Sequence, residues 1–238
     1  MARKVRISPP GIPQHVQRAG ADNRTIFADD EDKRVYYQAL LTYAQRYQVT
    51  VHALVIMDKH VQVLCTPATN NGISQMLQAT GRIYVPYFNQ KYQSSGGIWY
   101  DRFKSTLILD DEYYFNVQHF IEFTPVREGC ALVADQYMWS SYRANALGVE
   151  CKLTTPHRLY QLLASHAEDR KLNYIRKMAS LQNSDALADI TEQIAKALKM
   201  NLALGSDGFI QRLEKATGRR LSAGKVGRPR KTALHSPE

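Results

Sequence analysis

Cysteine is scarce in this sequence and follows no recognisable pattern. The 238 residues include three cysteines, Cys65, Cys130 and Cys151, which are widely spaced and form no CxxC pair. An odd, scattered set disfavours a disulfide framework and a zinc ribbon, and it fits a reducing cytoplasm. No segment approaches the eighteen consecutive apolar residues of a membrane span. The basic start, MARKVRISPPG, is followed by no apolar stretch, so no signal peptide is expected.

Acidic residues are absent from positions 215–231, in a chain whose net charge is +9. Apolar residues make up 44% of the chain, which is enough for a packed core. A basic run without acids indicates a partner that is nucleic acid or an acidic surface, and we favour nucleic acid over a merely solubilising tail. The basic residues of this run are Lys215, Arg219, Arg220, Lys225, Arg228, Arg230 and Lys231.

Hydrophobic periodicity divides the first 130 residues into the order β-α-β-β-α-β-α. The pattern predicts strands near 14–20, 49–57, 60–66 and 98–109 and helices near 29–48, 70–93 and 110–129. This order predicts an α+β fold, a ferredoxin-like sandwich with a mainly antiparallel sheet. From about Thr155 the pattern is helical, which predicts a C-terminal helical extension.

Several short motifs, in a fixed order, make this sequence resemble a known family. They read DNRTIF, MDKHVQVL, GRIYVPYFNQKY, GGIWYDRFKS, FIEFTPVREG, YMWSSYRANALG and GRRL…GRPRK. In this order they resemble the REP-associated tyrosine transposases, a branch of the single-tyrosine HUH (IS200-like) transposases. The resemblance implies a basic arm at 1–13, a transposase-like HUH domain at 14–150, a helical extension at 151–218 and a basic flexible tail at 219–238.

The resemblance also implies a chemistry, from which this chain departs at three positions. Family members cut single-stranded DNA beside hairpins, using a His-hydrophobic-His pair that holds magnesium or manganese and a tyrosine that attacks the phosphorus. His60 matches the first histidine, but Gln62 stands in place of the second. Phe120 stands at the nucleophile position, and Thr124 stands where this branch has asparagine.

These departures predict an inactive centre that needs no cofactor, with magnesium or manganese bound if the site still functions. A phenylalanine ring has no oxygen with which to form a phosphotyrosine link. An alternative is an active endonuclease that uses a substitute nucleophile, Tyr113 or Tyr114, on the same predicted helix. Both lie about two turns from Phe120, a shift of about 10 Å at the helical rise, which is large for a reacting group.

The predicted binding apparatus is basic. The tail sequence KVGRPRK has the form of an AT-hook, in which Arg228 and Arg230 enter a narrow A·T minor groove. The resemblance suggests five further phosphate contacts on the folded domain, namely Arg82, Arg102, Lys104, Arg127 and Arg143.

The expected function is a cytoplasmic, nucleoid-associated protein that binds hairpin or palindromic single-stranded DNA, or an A·T-rich promoter duplex, without cutting it. Besides the active endonuclease, a third alternative is a decayed protein or an interaction scaffold. The sequence leaves open whether the chain is a monomer or a dimer.

Overall fold

The computed structural model describes residues 6–109 and 111–222. The strands are β1 (Gln14–Ala19), β2 (Val49–Ile56), β3 (His60–Pro67), β4 (Lys104–Ile108) and β5 (Ala203–Leu204). The helices of the first part are α1 (Asp30–Arg46), α2 (Gly72–Lys91), α3 (Asp111–Glu122), α4 (Thr124–Arg127) and α5 (Tyr142–Leu147). The helices that follow are α6 (Arg158–Gln161), α7 (Ala167–Gln182), α8 (Leu187–Met200) and α9 (Asp207–Thr217).

One five-stranded sheet organises the fold, in the strand order β2-β3-β1-β4-β5. The first four strands pair with one another in antiparallel fashion, and β2 and β3 form a hairpin. The predicted α+β fold with a mainly antiparallel sheet is therefore confirmed, and the first four strands follow the ferredoxin-like order.

Two features of the sheet differ from the sequence prediction. The predicted strand at 98–109 shortens to Lys104–Ile108, and of the residues before it only Trp99 bridges to the sheet, opposite Gly20. The C-terminal extension contributes β5, which pairs in parallel with β4. Two residues are too few to give a readable period-two pattern.

Helices cover both faces of the sheet and bury two separate apolar clusters. The helices α1 and α2 pack on one face, where Val61 and Val63 of β3 point. The other face is covered by α3, α7 and α8, and Leu64 of β3 packs there. Alternate residues of one strand thus serve two cores. The helices after residue 151 share the second core with α3, so the extension is packed onto the preceding domain.

The end of the described chain is anchored. Leu221 is buried, and its carbonyl oxygen accepts a hydrogen bond from the backbone N–H of Ala203. The carboxylate of Glu214 accepts hydrogen bonds from the backbone of Leu221 and Ser222. The predicted contacts at Lys225, Arg228, Arg230 and Lys231, and the first five residues of the predicted arm, lie outside the described residues. Within 6–109 and 111–222, no helix is long and apolar enough to cross a membrane.

Candidate functional site

The hairpin strand β3 places His60 and Gln62 on the face of the sheet that α3 covers. Residues two apart on a strand point the same way, and the Nε2 atoms of these two side chains lie 3.1 Å apart. The α3–α4 corner supplies Thr124, whose hydroxyl accepts a 3.1 Å hydrogen bond from Gln62 Nε2. The structure therefore brings together three of the positions that the sequence singled out.

A fourth residue of this cluster, His15, was missed at the sequence level. His15 lies on β1, is fully buried, and its Nε2 lies 2.8 Å from Gln62 Oε1. In this arrangement the Gln62 oxygen accepts from His15, and the Gln62 nitrogen donates to His60 and Thr124. Every polar group of the Gln62 amide is thus used. The antiparallel register of β1 and β3, which pairs His15 with Leu64, sets this contact, and no motif along the chain indicates it.

Phe120 lies beside this network, one helical turn before Thr124. Its ring meets that of His15 edge-on, with 5.6 Å between ring centroids. The guanidinium carbon of Arg127 lies 4.1 Å above the Phe120 ring centroid. Arg127 also donates to the carbonyl oxygen of Phe120 at 3.0 Å and to the hydroxyl of Thr124 at 2.8 Å. The position that the resemblance assigns to the nucleophile therefore holds an apolar ring between a histidine and an arginine.

Burial keeps the two histidines of the site neutral at pH 7. Burial, opposed by the hydrogen bond to Gln62 and assisted by the positive charge of Arg127, lowers the pKa of His15 to about 4. The pKa of His60 is lowered to about 4 by burial and by Arg127. Neutral imidazoles suit the hydrogen bonds described, because His60 Nε2 can then accept from Gln62.

The donor set of this arrangement does not fit a magnesium or manganese ion. These ions prefer oxygen ligands, usually with one or two carboxylates. Here the Gln62 oxygen points to His15, and His60 Nε2 faces the Gln62 amide nitrogen. Among the residues that the structure describes, the carboxylate that pairs with His60 is that of Glu128, 3.7 Å from His60 Nε2. In the described ranges, no group of three His, Cys, Asp or Glu side chains is placed to hold a metal.

The two substitute tyrosines lie outside the hydrogen-bond network. Tyr114 is buried and stacks on His157 with 4.2 Å between ring centroids. Burial and the charge of Glu122 raise the pKa of Tyr114 well above its usual value, which disfavours a phenolate nucleophile. Tyr113 is half-buried, and its hydroxyl accepts a hydrogen bond from Gln193 at 3.1 Å.

One of the predicted phosphate contacts faces the same side of the sheet as Gln62. The register pairs Gln17 with both Gln62 and Lys104, so these three residues form a row across β3, β1 and β4. Directly opposed residues share a face, and Lys104 therefore lies two strands from Gln62. Arg127 is exposed at the α4 end of the cluster.

The remaining predicted contacts are dispersed. Arg82 is exposed on α2, and Arg143 lines an open cavity of about 410 Å³ beside Trp139 and Arg34. Arg102 and Arg220 are exposed, and Arg219 is half-buried. The structure thus groups Arg127 and Lys104 near the Gln62 cluster and places Arg82 and Arg143 on other elements.

Comparisons with known proteins support the fold described above. Residues 15–123 match the family model described as transposase IS200-like. The fold is similar to that of a REP-associated tyrosine transposase solved with a bound REP hairpin, with a TM-score of 0.51 at 14% identity. That match covers 66% of this chain and 93% of the other chain, and at this identity it establishes the shared fold.

A second solved structure, a protein from Deinococcus radiodurans described as a transposase, gives a weaker match. Its TM-score is 0.36 at 16% identity, over 51% of this chain and 96% of that chain, and no argument rests on it. No curated protein matches the chain significantly.

Proposed function

We propose that this chain, whose residues 15–123 match the IS200-like transposase family model, binds hairpin DNA without cutting it. The proposal treats the protein as a transposase-derived binding protein that recognises a hairpin or palindromic element, or a promoter duplex. Such a protein would act at the nucleoid, where its DNA lies.

The observation that carries the proposal is the environment of Phe120. Its ring has no oxygen able to attack phosphorus, and it packs between His15 and Arg127. The amide oxygen and nitrogen of Gln62 are bonded to His15, His60 and Thr124 rather than turned toward a common ion. Thr124 is bonded both to Gln62 and to the carbonyl oxygen of Phe120, and three departures at one site support loss of cleavage better than any one of them alone.

DNA binding is supported by charge and by the related structure. The net charge is +9, and the basic run at 215–231 has no acid, so phosphate neutralisation can drive association. The structurally similar REP-associated tyrosine transposase was solved with a REP hairpin bound. The GRPRK segment adds a means of entering an A·T-rich minor groove.

A labelled DNA hairpin with a single-stranded flank tests the proposal. We expect a non-covalent complex whose affinity falls steeply with salt, and no labelled protein on a denaturing gel after incubation with Mg²⁺ or Mn²⁺. A scrambled single strand of equal length is the control and should bind more weakly. A covalent adduct or a cleavage product would refute the loss of activity. Equal affinity for hairpin and scrambled DNA would favour an interaction scaffold or a decayed protein.

A further inference from the structure

We propose that Arg127, with Lys104 beside it, forms a metal-independent binding site for a DNA phosphodiester next to His60, at the place where the Glu128 carboxylate now lies. The inference rests on the proposed DNA-binding function and gives a role to the former catalytic face. The protein's own guanidinium supplies there the positive charge that a divalent ion would otherwise bring.

Arg127 is held in place by the protein yet retains free donors. Its guanidinium stacks on Phe120 and uses two of its five N–H groups, one to the Phe120 carbonyl oxygen and one to the Thr124 hydroxyl. The other three N–H groups have no partner within 6–109 and 111–222, and the residue is exposed. A pre-oriented guanidinium loses little freedom when it binds a phosphate with two parallel hydrogen bonds.

Glu128 marks the position of the anion. Its Oε1 lies 3.7 Å from His60 Nε2, and its side chain is 44% exposed. The positive charges of Arg127 and Lys59 attract this carboxylate and oppose the effect of burial on its pKa. Because the carboxylate is held by charge and borders solvent, a phosphodiester with the same charge can displace it.

Lys104 extends the positive charge along the sheet. It lies in register with Gln17 and Gln62, two strand spacings or about 10 Å from the latter. Its ammonium group has no hydrogen-bond or ion-pair partner in the described part of the chain, although the residue is half-buried. A half-buried lysine without an anion, on the same face as the site, supports a second contact along one DNA strand.

Arg127→Gln tests the site in the full-length protein with the flanked hairpin described above. We expect an affinity about tenfold lower, since the variant has no charged donor for the phosphate, and a salt slope smaller by about one. Arg46→Gln is the matched control. Arg46 is exposed at the end of α1, just before β2 begins, and this end of the β2–β3 pair is the one far from His60. This variant should change the affinity less than about twofold, as a screened distant charge does.

Two further variants separate binding from folding. Lys104→Gln removes no bond within the described protein, so we expect weaker binding with an unchanged melting temperature. Glu128→Gln should strengthen binding several-fold, because the competing carboxylate is gone, whereas Glu192→Gln removes an equal charge from the exposed face of α8 and should not. The wild-type affinity should be the same in EDTA and in Mg²⁺.

Dimethyl phosphate, a phosphodiester without bases, separates this inference from the proposed function. Titrated into ¹⁵N-labelled protein, it should shift the Arg127 Nε–H signal in the wild type and not the side-chain signal of Arg46. If this shift occurs but the hairpin is not bound, the site stands and the proposed function fails. If the hairpin binds equally well to Arg127→Gln, or only when Mg²⁺ is present and His60 is intact, the site proposed here is wrong.

Discussion

His15 and Gln62 lie 47 residues apart in the sequence and share a 2.8 Å hydrogen bond on one face of the sheet. Both side chains are buried, at 0% and 2% exposure. The bond fixes the orientation of the Gln62 amide and, through it, the bonds to His60 and Thr124. The pair therefore decides whether this face of β3 presents ligands or a closed network.

Breaking this network should destabilise the fold. Gln62→Leu leaves His15 Nε2 buried without an acceptor and removes a donor from Thr124, so we expect the free energy of unfolding to fall by about 1–3 kcal/mol. Urea denaturation measures it. In the double variant His15→Leu with Gln62→Leu both partners are apolar, and the loss should be smaller than the sum of the single losses. Additive losses would show that the two side chains act independently.

Acid should weaken the fold through the buried histidines. The unfolded chain binds a proton at His15 near pH 6.5, whereas burial holds the folded pKa at about 4. The contribution of His15 to the free energy of unfolding is therefore fully present above pH 6.5, and it is lost as the pH drops from 6.5 to 4. The slope is up to about 1.4 kcal/mol per pH unit for each such histidine. Burial also lowers the pKa of His60, so this histidine too should make the protein less stable in acid.

His15→Leu isolates one contribution to this slope. Its stability will be lower at all pH values, but the dependence between pH 4 and 6.5 should be shallower than that of the wild type. An unaltered slope in His15→Leu would contradict the burial-lowered pKa.

Much of the fold could be predicted because its elements carry local signals. The acidic start of α1 and the Asp58–Lys59 hairpin between β2 and β3 are readable along the chain, and Asp29 does accept the capping hydrogen bond from Asp32 N. The two-residue strand β5 was not predictable, because its place beside β4 depends on tertiary packing of the extension.

The site was predictable only in part for a similar reason. His60, Gln62, Phe120 and Thr124 were found by their positions in family motifs. His15 and Glu128 were not, because their roles depend on the register of β1 against β3 and on the turn after α4. The expectation that Arg127 contacts phosphate did not include its bonds to Phe120 and Thr124. Those bonds are set by the backbone path at the α3–α4 corner.

The hydrogen bond between Tyr174 and Glu122 should stabilise the packing of the C-terminal extension on α3. Glu122 on α3 is fully buried, and one of its oxygens accepts the hydroxyl of Tyr174 on α7. Tyr174→Phe removes a hydrogen bond from a buried carboxylate, so we expect a loss of about 1–3 kcal/mol in urea unfolding. Tyr142→Phe is the control: this tyrosine lies in the same cluster, but its hydroxyl has no hydrogen-bond partner in the described ranges. An equal effect of both changes would contradict the role of the bond.

Replacing Phe120, Gln62 and Thr124 by the residues that the family pattern has at these positions should test which of them prevents DNA cleavage. Phe120→Tyr alone adds a phenol but leaves the Gln62 amide facing His60, so we expect no adduct with the hairpin. The triple variant Phe120→Tyr, Gln62→His and Thr124→Asn regains a nucleophile and a set of ligands for Mn²⁺. We expect labelled protein on a denaturing gel for this variant. The double variant that keeps Phe120 is the control, and an adduct in it would show that another side chain attacks.

Two truncations should separate the effect of the basic tail on DNA binding from the effect of the buried Leu221 on stability. Ending the chain after Ser222 removes Lys225, Arg228, Arg230 and Lys231 but keeps the buried Leu221 and its bond to Ala203. We expect an unchanged melting temperature and weaker DNA binding. The slope of log affinity against log salt should fall by up to about 0.9 for each DNA phosphate that the tail neutralises. Ending the chain after Gly218 also exposes the core around Leu107 and Leu109, so it should lower the melting temperature as well. If the shorter deletion leaves the salt slope unchanged, the tail does not contact DNA and binding depends on the folded domain alone.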